Sequence, residues 1–286
     1  MKKRCIVLFS GGLDSRLAVK IMQKKGFKVL AIYFKLPFGC SCFGDVKEFL
    51  NEHKVKLKIF DCTKGKLLQE YLEVVNKGKH GRGAGFNPCI DCKIFMFKKA
   101  KEFAKKRMVK FIATGEVVGQ RPMSQQDKQI KLIEKRAGLE GKIIRPLVDL
   151  EISGRQRKKQ IELAKQFDID YPDPAGGCLL CEKLLKKRFE VLLKRGLNKE
   201  EVSLVNVGRH FFINDCWIIL GKDKKQNDIL ENYKIGEKMI PNYPGPTALL
   251  LDKCNSEIRD KIIKLIHAYS KGGSLKERKK FEKFKL

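Results

Sequence analysis

The 286-residue chain contains no run approaching the roughly 20 consecutive apolar residues that span a bilayer, which argues against a helical membrane protein. It has one Trp and only four His, and His53, His80, His210 and His267 show no metal-ligand spacing. Its ten cysteines are too few and too scattered for a secreted disulfide scaffold of this size. Acidic residues are scarce: 33 Asp and Glu stand against 62 Lys and Arg, a net charge of +29. Such an excess favours a polyanionic partner, nucleic acid first. The chain also lacks a G-x-x-x-x-G-K-[ST] loop, which excludes the kinase-type phosphate cradle. The opening "MKKRCIVLFSGG" has too short an apolar run for a signal peptide and runs straight into a glycine turn. It reads as a first strand, and the protein as cytoplasmic.

What is present is an alternation. Apolar strands at 4–9, 27–35, 55–63 and 108–116 alternate with amphipathic helices at 13–25, 45–54, 66–77 and 92–106. That order predicts an α/β fold, a doubly wound parallel sheet with ligands bound beyond the carboxyl ends of its strands. Near residue 180 the pattern changes to helices followed by short strands, "RHFFIND", "CWIILGK" and "YPGPTALLLD", then a helix and a basic tail. The expected division is 1–180 and a smaller α+β domain over 181–286.

"LFSGGLDSRLA" joins the first strand to the first helix. Gly11 and Gly12 let backbone amides face a phosphate at a helix N-terminus, and Ser10 and Ser15 add hydroxyls. Asp14 beside phosphate is repulsive unless a cation intervenes, which points to Mg²⁺. The S-G-G-x-D-S string resembles the signature loop of the PP-loop ATP pyrophosphatases, which adenylate a carbonyl oxygen. On that resemblance Ser10, Gly11, Gly12, Asp14 and Ser15 bind ATP, Asp14 is catalytic, and Thr114 and Gly115 line the nucleotide.

Within that superfamily, "ATGEVVGQRPMSQ" (113–125) resembles the 4-thiouridine synthases, "NPCIDCK" the tRNA 2-thiouridylases, and "IIRPLVDL" thiolating members generally. Glu116, Gln120 and Ser124 are weaker site candidates, equally readable as a solvated loop. The resemblance implies a cytoplasmic tRNA sulfurtransferase that exchanges a uridine oxygen for sulfur, with U8 favoured over U34. Sulfide or a cysteine desulfurase would supply the sulfur, and a homodimer is left open. The rival readings are a small-molecule amidase of the same superfamily and an RNA-binding ATPase that does not thiolate.

Two C-x-x-C pairs, Cys89/Cys92 and Cys178/Cys181, stand too far apart for a compact zinc ribbon. Gly176 and Gly177 are expected to allow the second pair to approach the first. By resemblance to cluster-dependent thiolases, Cys89, Cys92 and Cys178 would hold a [4Fe–4S] cluster, with Cys89 and Cys178 catalytic. Cys181 would then be peripheral or exchangeable, because a permanent fourth ligand closes the open iron. Structural Zn²⁺, a persulfide relay through Cys89 and Cys178, and plain buried thiols remain the alternatives. Cys40 and Cys42 are minor candidates, and Cys5, Cys62, Cys216 and Cys254 read as packing residues.

"GRHFFINDCWIILGKDKKQNDILENY" (208–233) is similar to the RNA-binding domain of the NFACT family, with Gln226, Asn227 and Asp228 in its order. The resemblance implies that the second domain binds tRNA. Lysines of 276–285 are candidate phosphate contacts.

Overall fold

The computed structural model describes residues 3–39, 43–173 and 177–286. The chain divides into two compact units, Met1–Lys183 and Leu184–Leu286. No helix among the described residues is long and apolar enough to cross a membrane.

Unit 1 runs β1 (Arg4–Leu8), α1 (Leu13–Lys24), β2 (Lys28–Lys35), α2 (Phe43–Glu52), β3 (Lys56–Asp61), α3 (Gly65–Lys77), α4 (Cys89–Lys106), β4 (Phe111–Thr114), α5 (Asp127–Ala137), β5 (Ile143–Ile144) and α6 (Lys158–Gln166). The sheet order is β3-β2-β1-β4-β5, and every pairing is parallel. Because side chains alternate along a strand, Cys5 and Val7 enter one core and Ile6 the other. The first core is completed by α1, α2 and α6, through Leu17, Phe49 and Ala164 among others. On the opposite face α4 presents Ile90, Ile94, Phe97 and Ala104 at helical spacing, with Ile133 of α5. Both faces are covered, as a parallel sheet requires.

The chain leaves β1 toward β2 and β3, then returns to place β4 on the other side of β1. Leu8 and Thr114, the last residues of β1 and β4, are register partners. This is the switch point of an open α/β sheet, where the loops after neighbouring strands splay apart and leave a crevice.

Unit 2 runs α7 (Lys186–Lys194), α8 (Lys199–Leu204), β6 (Arg209–Ile213), β7 (Cys216–Leu220), α9 (Lys224–Glu231), β8 (Glu237–Met239), β9 (Ala248–Leu250), α10 (Ser256–Ala268) and α11 (Leu275–Phe281). Its antiparallel sheet has the order β6-β7-β9-β8. One face, with Phe211, Ile218 and Leu250, packs on Ile258, Ile262 and Leu265 of α10. On the other, Arg195 lies over the Trp217 ring, 5.7 Å from its centroid. The basic segment read as a tail is built into the fold. Ser274 and Glu277 form a reciprocal cap on α11, Lys285 bridges to Phe211, and the Leu286 amide donates to the His210 carbonyl. Cys216 and Cys254, expected as separate packing thiols, are joined in a disulfide.

Candidate active site

The loop after β1 turns through Gly11, whose φ of +87° favours glycine. Ser15, in the first turn of α1, donates to the Gly12 carbonyl at 2.8 Å and accepts from the Ser10 amide at 3.3 Å. Arg16 is buried and fixes the turn by donating to the Gly11 carbonyl at 2.7 Å. The residue after β4 comes in against this loop. A side chain on Gly115 would stand 2.4 Å from the Asp14 carbonyl oxygen, so only glycine allows the two strand ends this close.

Asp14 thus stands in the crevice. Gln120 donates to its Oδ2 at 3.0 Å, but its buried Oδ1 accepts nothing among the described residues. Burial raises the carboxyl above its ordinary pKa, opposed by the Gln120 hydrogen bond, by the charges of Arg157 and Arg121, and by the nearby Gln160 amide. Arg157 precedes α6, and its buried Nε also lacks a hydrogen-bond partner. Gln160, in the first turn of α6 and wholly buried, lies near enough to Asp14 to lower its pKa, yet among the described residues neither side-chain amide atom has a hydrogen bond of good geometry. An orphaned buried polar atom costs about 1–3 kcal/mol. Several facing one carboxylate describe a site built for a polar or charged ligand. A divalent cation at Asp14 Oδ1 fits, because the oxygen is free and a positive charge would reverse the unfavourable burial.

Thr114 and Glu116 form the wall of the crevice. Thr114 Oγ1 donates to Glu116 Oε2 at 3.2 Å. Glu116 is ion-paired with Lys93 and with Arg145, whose Nη2 donates at 3.1 Å, while Arg145 also pairs with Glu134. Burial alone would raise Glu116, yet Lys93 and Arg145 outweigh it and hold the carboxyl below its ordinary value. Ser124 is buried, and the Lys93 amine donates to its backbone carbonyl at 3.4 Å. The network therefore ties the residue after the first cysteine pair to β4 and β5.

The first pair lies in the opening turn of α4, which begins at Cys89. The second is drawn over it along Gly85, where a side chain would meet the Leu180 carbonyl oxygen at 2.5 Å. The Phe86 amide donates to that carbonyl at 2.7 Å, and the Leu179 amide to the Phe38 carbonyl at 2.8 Å. The glycine that permits the approach is Gly85; around Gly177 there is open space, and Gly176, Cys40 and Cys42 lie outside the described residues. Cys181 interacts with both Cys89 and Cys178 and so lies close to each. Asn87 donates to Cys89 Sγ at 3.1 Å, and Tyr71 Oη lies 3.6 Å from Cys92 Sγ. The Cys181 hydrogen bond and burial drive the Cys89 pKa far up, while burial pushes Cys92 up to about 12. Asp91, between Cys89 and Cys92, accepts from the His80 amide at 3.0 Å and faces its Nδ1 at 2.8 Å, so His80 is anchored rather than simply solvated. The donor set suits a soft metal or a cluster. It is not a preformed cage: among the described residues no three His, Cys, Asp or Glu side chains are placed to hold an ion.

Residues 1–173 match the sequence profile of the ThiI family, described as thiamine biosynthesis protein. The chain belongs to the ThiI family. It is 27% identical over 209 residues to a probable tRNA sulfurtransferase of Saccharolobus islandicus, covering 69% of this chain and 49% of that protein. A probable tRNA sulfurtransferase of Methanosarcina mazei is 26% identical over 126 residues, 41% of this chain and 29% of the other. A tRNA-specific 2-thiouridylase of Nitratiruptor is 26% identical over 120 residues, 40% of this chain and 35% of the other. The chain spans about half or less of the length of these curated relatives. A crystal structure of a 4-thiouridine synthetase–RNA complex with bound ATP aligns with a TM-score of 0.45 at 22% identity, over 70% of this chain and 53% of that one.

Several polar contributors to this ThiI-family crevice carry no local motif. Arg157 and Gln160 come from beyond β5, Lys93 continues the C-x-x-C run, and Tyr71 belongs to α3. In unit 2 the Gln226 and Asn227 side chains of the Gln-Asn-Asp string make framework contacts. Gln226 Oε1 accepts from the Gly208 amide at 2.9 Å. Asn227 accepts from the Thr247 amide at 3.1 Å and donates to the Gly245 carbonyl at 3.3 Å. These two side chains hold the sheet's loops together.

Proposed function

We propose that the chain is an ATP-dependent tRNA sulfurtransferase, a thiouridine synthase, with unit 1 as the PP-loop catalytic part and unit 2 as an RNA-binding part. The observation that carries the reading is the unsatisfied crevice at the β1/β4 switch point, where Asp14 Oδ1, Arg157 Nε and the Gln160 side-chain amide lack well-formed hydrogen bonds among the described residues, in the unit that also gathers four thiols. The uridine carbonyl oxygen attacks the α-phosphorus of ATP, and pyrophosphate leaves. The amides after Gly11 and the hydroxyls of Ser10 and Ser15 receive the phosphates, and Arg157 neutralises the departing charge. Thr114 and Gly115 flank the nucleotide at the neighbouring strand end. Asp14 would hold Mg²⁺, which would screen the phosphate oxygens from its carboxylate. Sulfur then attacks the activated carbon, and AMP leaves with the former carbonyl oxygen.

Cys89, Cys92 and Cys178 would hold a [4Fe–4S] cluster, whose chemistry when bound is to carry sulfide at an iron without a protein ligand. Cys181, close to two of these thiols, is then the exchangeable partner. Sulfide or a cysteine desulfurase supplies the sulfur, the cytoplasm is the proposed compartment, and U8 is the favoured position. Similarity to a 2-thiouridylase keeps U34 as the second reading. Anaerobically purified protein is expected to be brown, with about four irons per chain. Cys89→Ala, Cys92→Ala and Cys178→Ala should each bleach it, and Cys181→Ala less so. A colourless, zinc-replete protein that still thiolates tRNA would overturn the cluster and leave a zinc or thiol centre.

A further inference from the structure

One exposed face of unit 2 has no role in the account above. Ile240 is 62% exposed, Ile263 51% and Tyr243 37%. Tyr243 lies in the loop between β8 and β9, its ring set edge-to-face on His267 of α10 with centroids 6.3 Å apart. The loop is pinned by close packing: a side chain on Gly245 would meet Tyr243, Pro241 and Ser270 at 3.2–3.3 Å. Ile263 and Lys264 stand one helical turn before His267 on α10, so they share its side of the helix. Lys264 and Lys271 are exposed, and no carboxylate pairs with either among the described residues. Earlier on the same helix Arg259 is paired with Glu237 and Lys261 with Glu257. Lys264 and Lys271 therefore leave unpaired positive charge near the aromatic end, where Glu277 also stands, 3.3 Å from His267 Nδ1.

A fixed, partly exposed ring with aliphatic neighbours and free lysines has the make-up of a stacking platform for unpaired bases. The charge of the unit, 23 Lys and Arg against 13 Asp and Glu, fits a polyanion better than a second copy of the same basic face. We propose that Tyr243, backed by His267, stacks a base of a single-stranded RNA segment, flanked by Ile240 and Ile263, with Lys264 and Lys271 on the adjoining phosphates. This rests on the reading of unit 2 as an RNA-binding part.

The test is fluorescence anisotropy of the full chain with a labelled oligouridylate of about twelve nucleotides and with an RNA duplex of similar length. Tyr243→Ala should weaken oligouridylate binding about tenfold at every salt concentration, spare the duplex and leave the salt slope unchanged. Tyr243→Phe should bind as the parent does. The double variant Lys264→Ala/Lys271→Ala should instead flatten the log–log salt slope by about 1.4. Trp217 emission verifies that each variant is folded. A folded Tyr243→Ala protein with parental affinity overturns the platform while leaving the RNA-binding reading intact. A parent that binds neither RNA overturns that reading itself. A dimer that Tyr243→Ala converts to a monomer without loss of RNA affinity makes this face a contact between copies and also overturns the platform.

Discussion

Asp14 and Asn227 are small polar side chains in motifs that a sequence reading treats alike, yet the fold uses them in opposite ways. Asn227 spends both amide atoms on the backbone of residues 245–247. Asp14 receives one hydrogen bond from Gln120, while its other, buried oxygen has no partner among the described residues. Residue type does not separate binding site from framework here; unsatisfied valence does. A protein tolerates such an atom where a ligand completes it, and closes it elsewhere.

The sharpest way to break this comparison is Asp14→Asn. Pyrophosphate release with tRNA and ATP should fall by about a hundredfold or more, since the proposed anchor for a cation is lost. Burial raises the Asp14 pKa, so the ionised carboxylate opposes folding at neutral pH. The variant should therefore melt at or above the parent temperature. Full pyrophosphate release would remove Asp14 from the chemistry and erase the contrast.

Asn227→Ala should show the reverse profile. Losing both backbone contacts should destabilise unit 2 by about 2 kcal/mol, read by denaturant titration of Trp217, the only tryptophan and a residue of this unit. If the variant keeps its stability and loses RNA binding, Asn227 is a reader of RNA and the framework assignment is wrong.

A further test separates the units by pH. His210 is wholly buried, with Nε2 2.7 Å from the Val207 carbonyl and Nδ1 accepting from the Trp217 indole at 3.0 Å. Burial lowers its pKa from 6.5 to about 3. The unfolded chain therefore takes up a proton near pH 6.5 that the folded unit refuses. The stability of unit 2 is full above that pH and declines steadily as pH falls from 6.5 toward 3. His210→Gln should remove this part of the decline in Trp217-detected unfolding; an unchanged pH profile would mean that other groups set it.

Legibility in the sequence followed locality. The α/β alternation and the Ser10–Ser15 loop could be read because periodicity and glycine turns are written in adjacent residues. The first cysteine pair was placed at a helix start for the same reason. Arg157 and Gln160 could not be read, because only the return of the chain across the sheet brings them to Asp14. The nearness of Cys181 to Cys89 depends on Gly85, almost a hundred residues away in sequence and silent as a motif. The 216–254 disulfide and the docking of the last residues on β6 are likewise tertiary events between segments that look ordinary alone. Nor could the sequence disclose that the Gln226 and Asn227 side chains spend their hydrogen bonds on the backbone of unit 2.

The central claim is that this chain puts sulfur into tRNA using the Asp14 loop and the Cys89 centre together. Its most direct test is mass-spectrometric analysis of nucleosides, with position mapping, in tRNA from a strain lacking the gene and complemented with parent, Asp14→Asn or Cys89→Ala. The account predicts that one thiouridine, 4-thiouridine at U8 on the favoured reading, disappears on deletion and returns with the parent but with neither variant. An unchanged set of thiolated nucleosides in the deletion strain would contradict it.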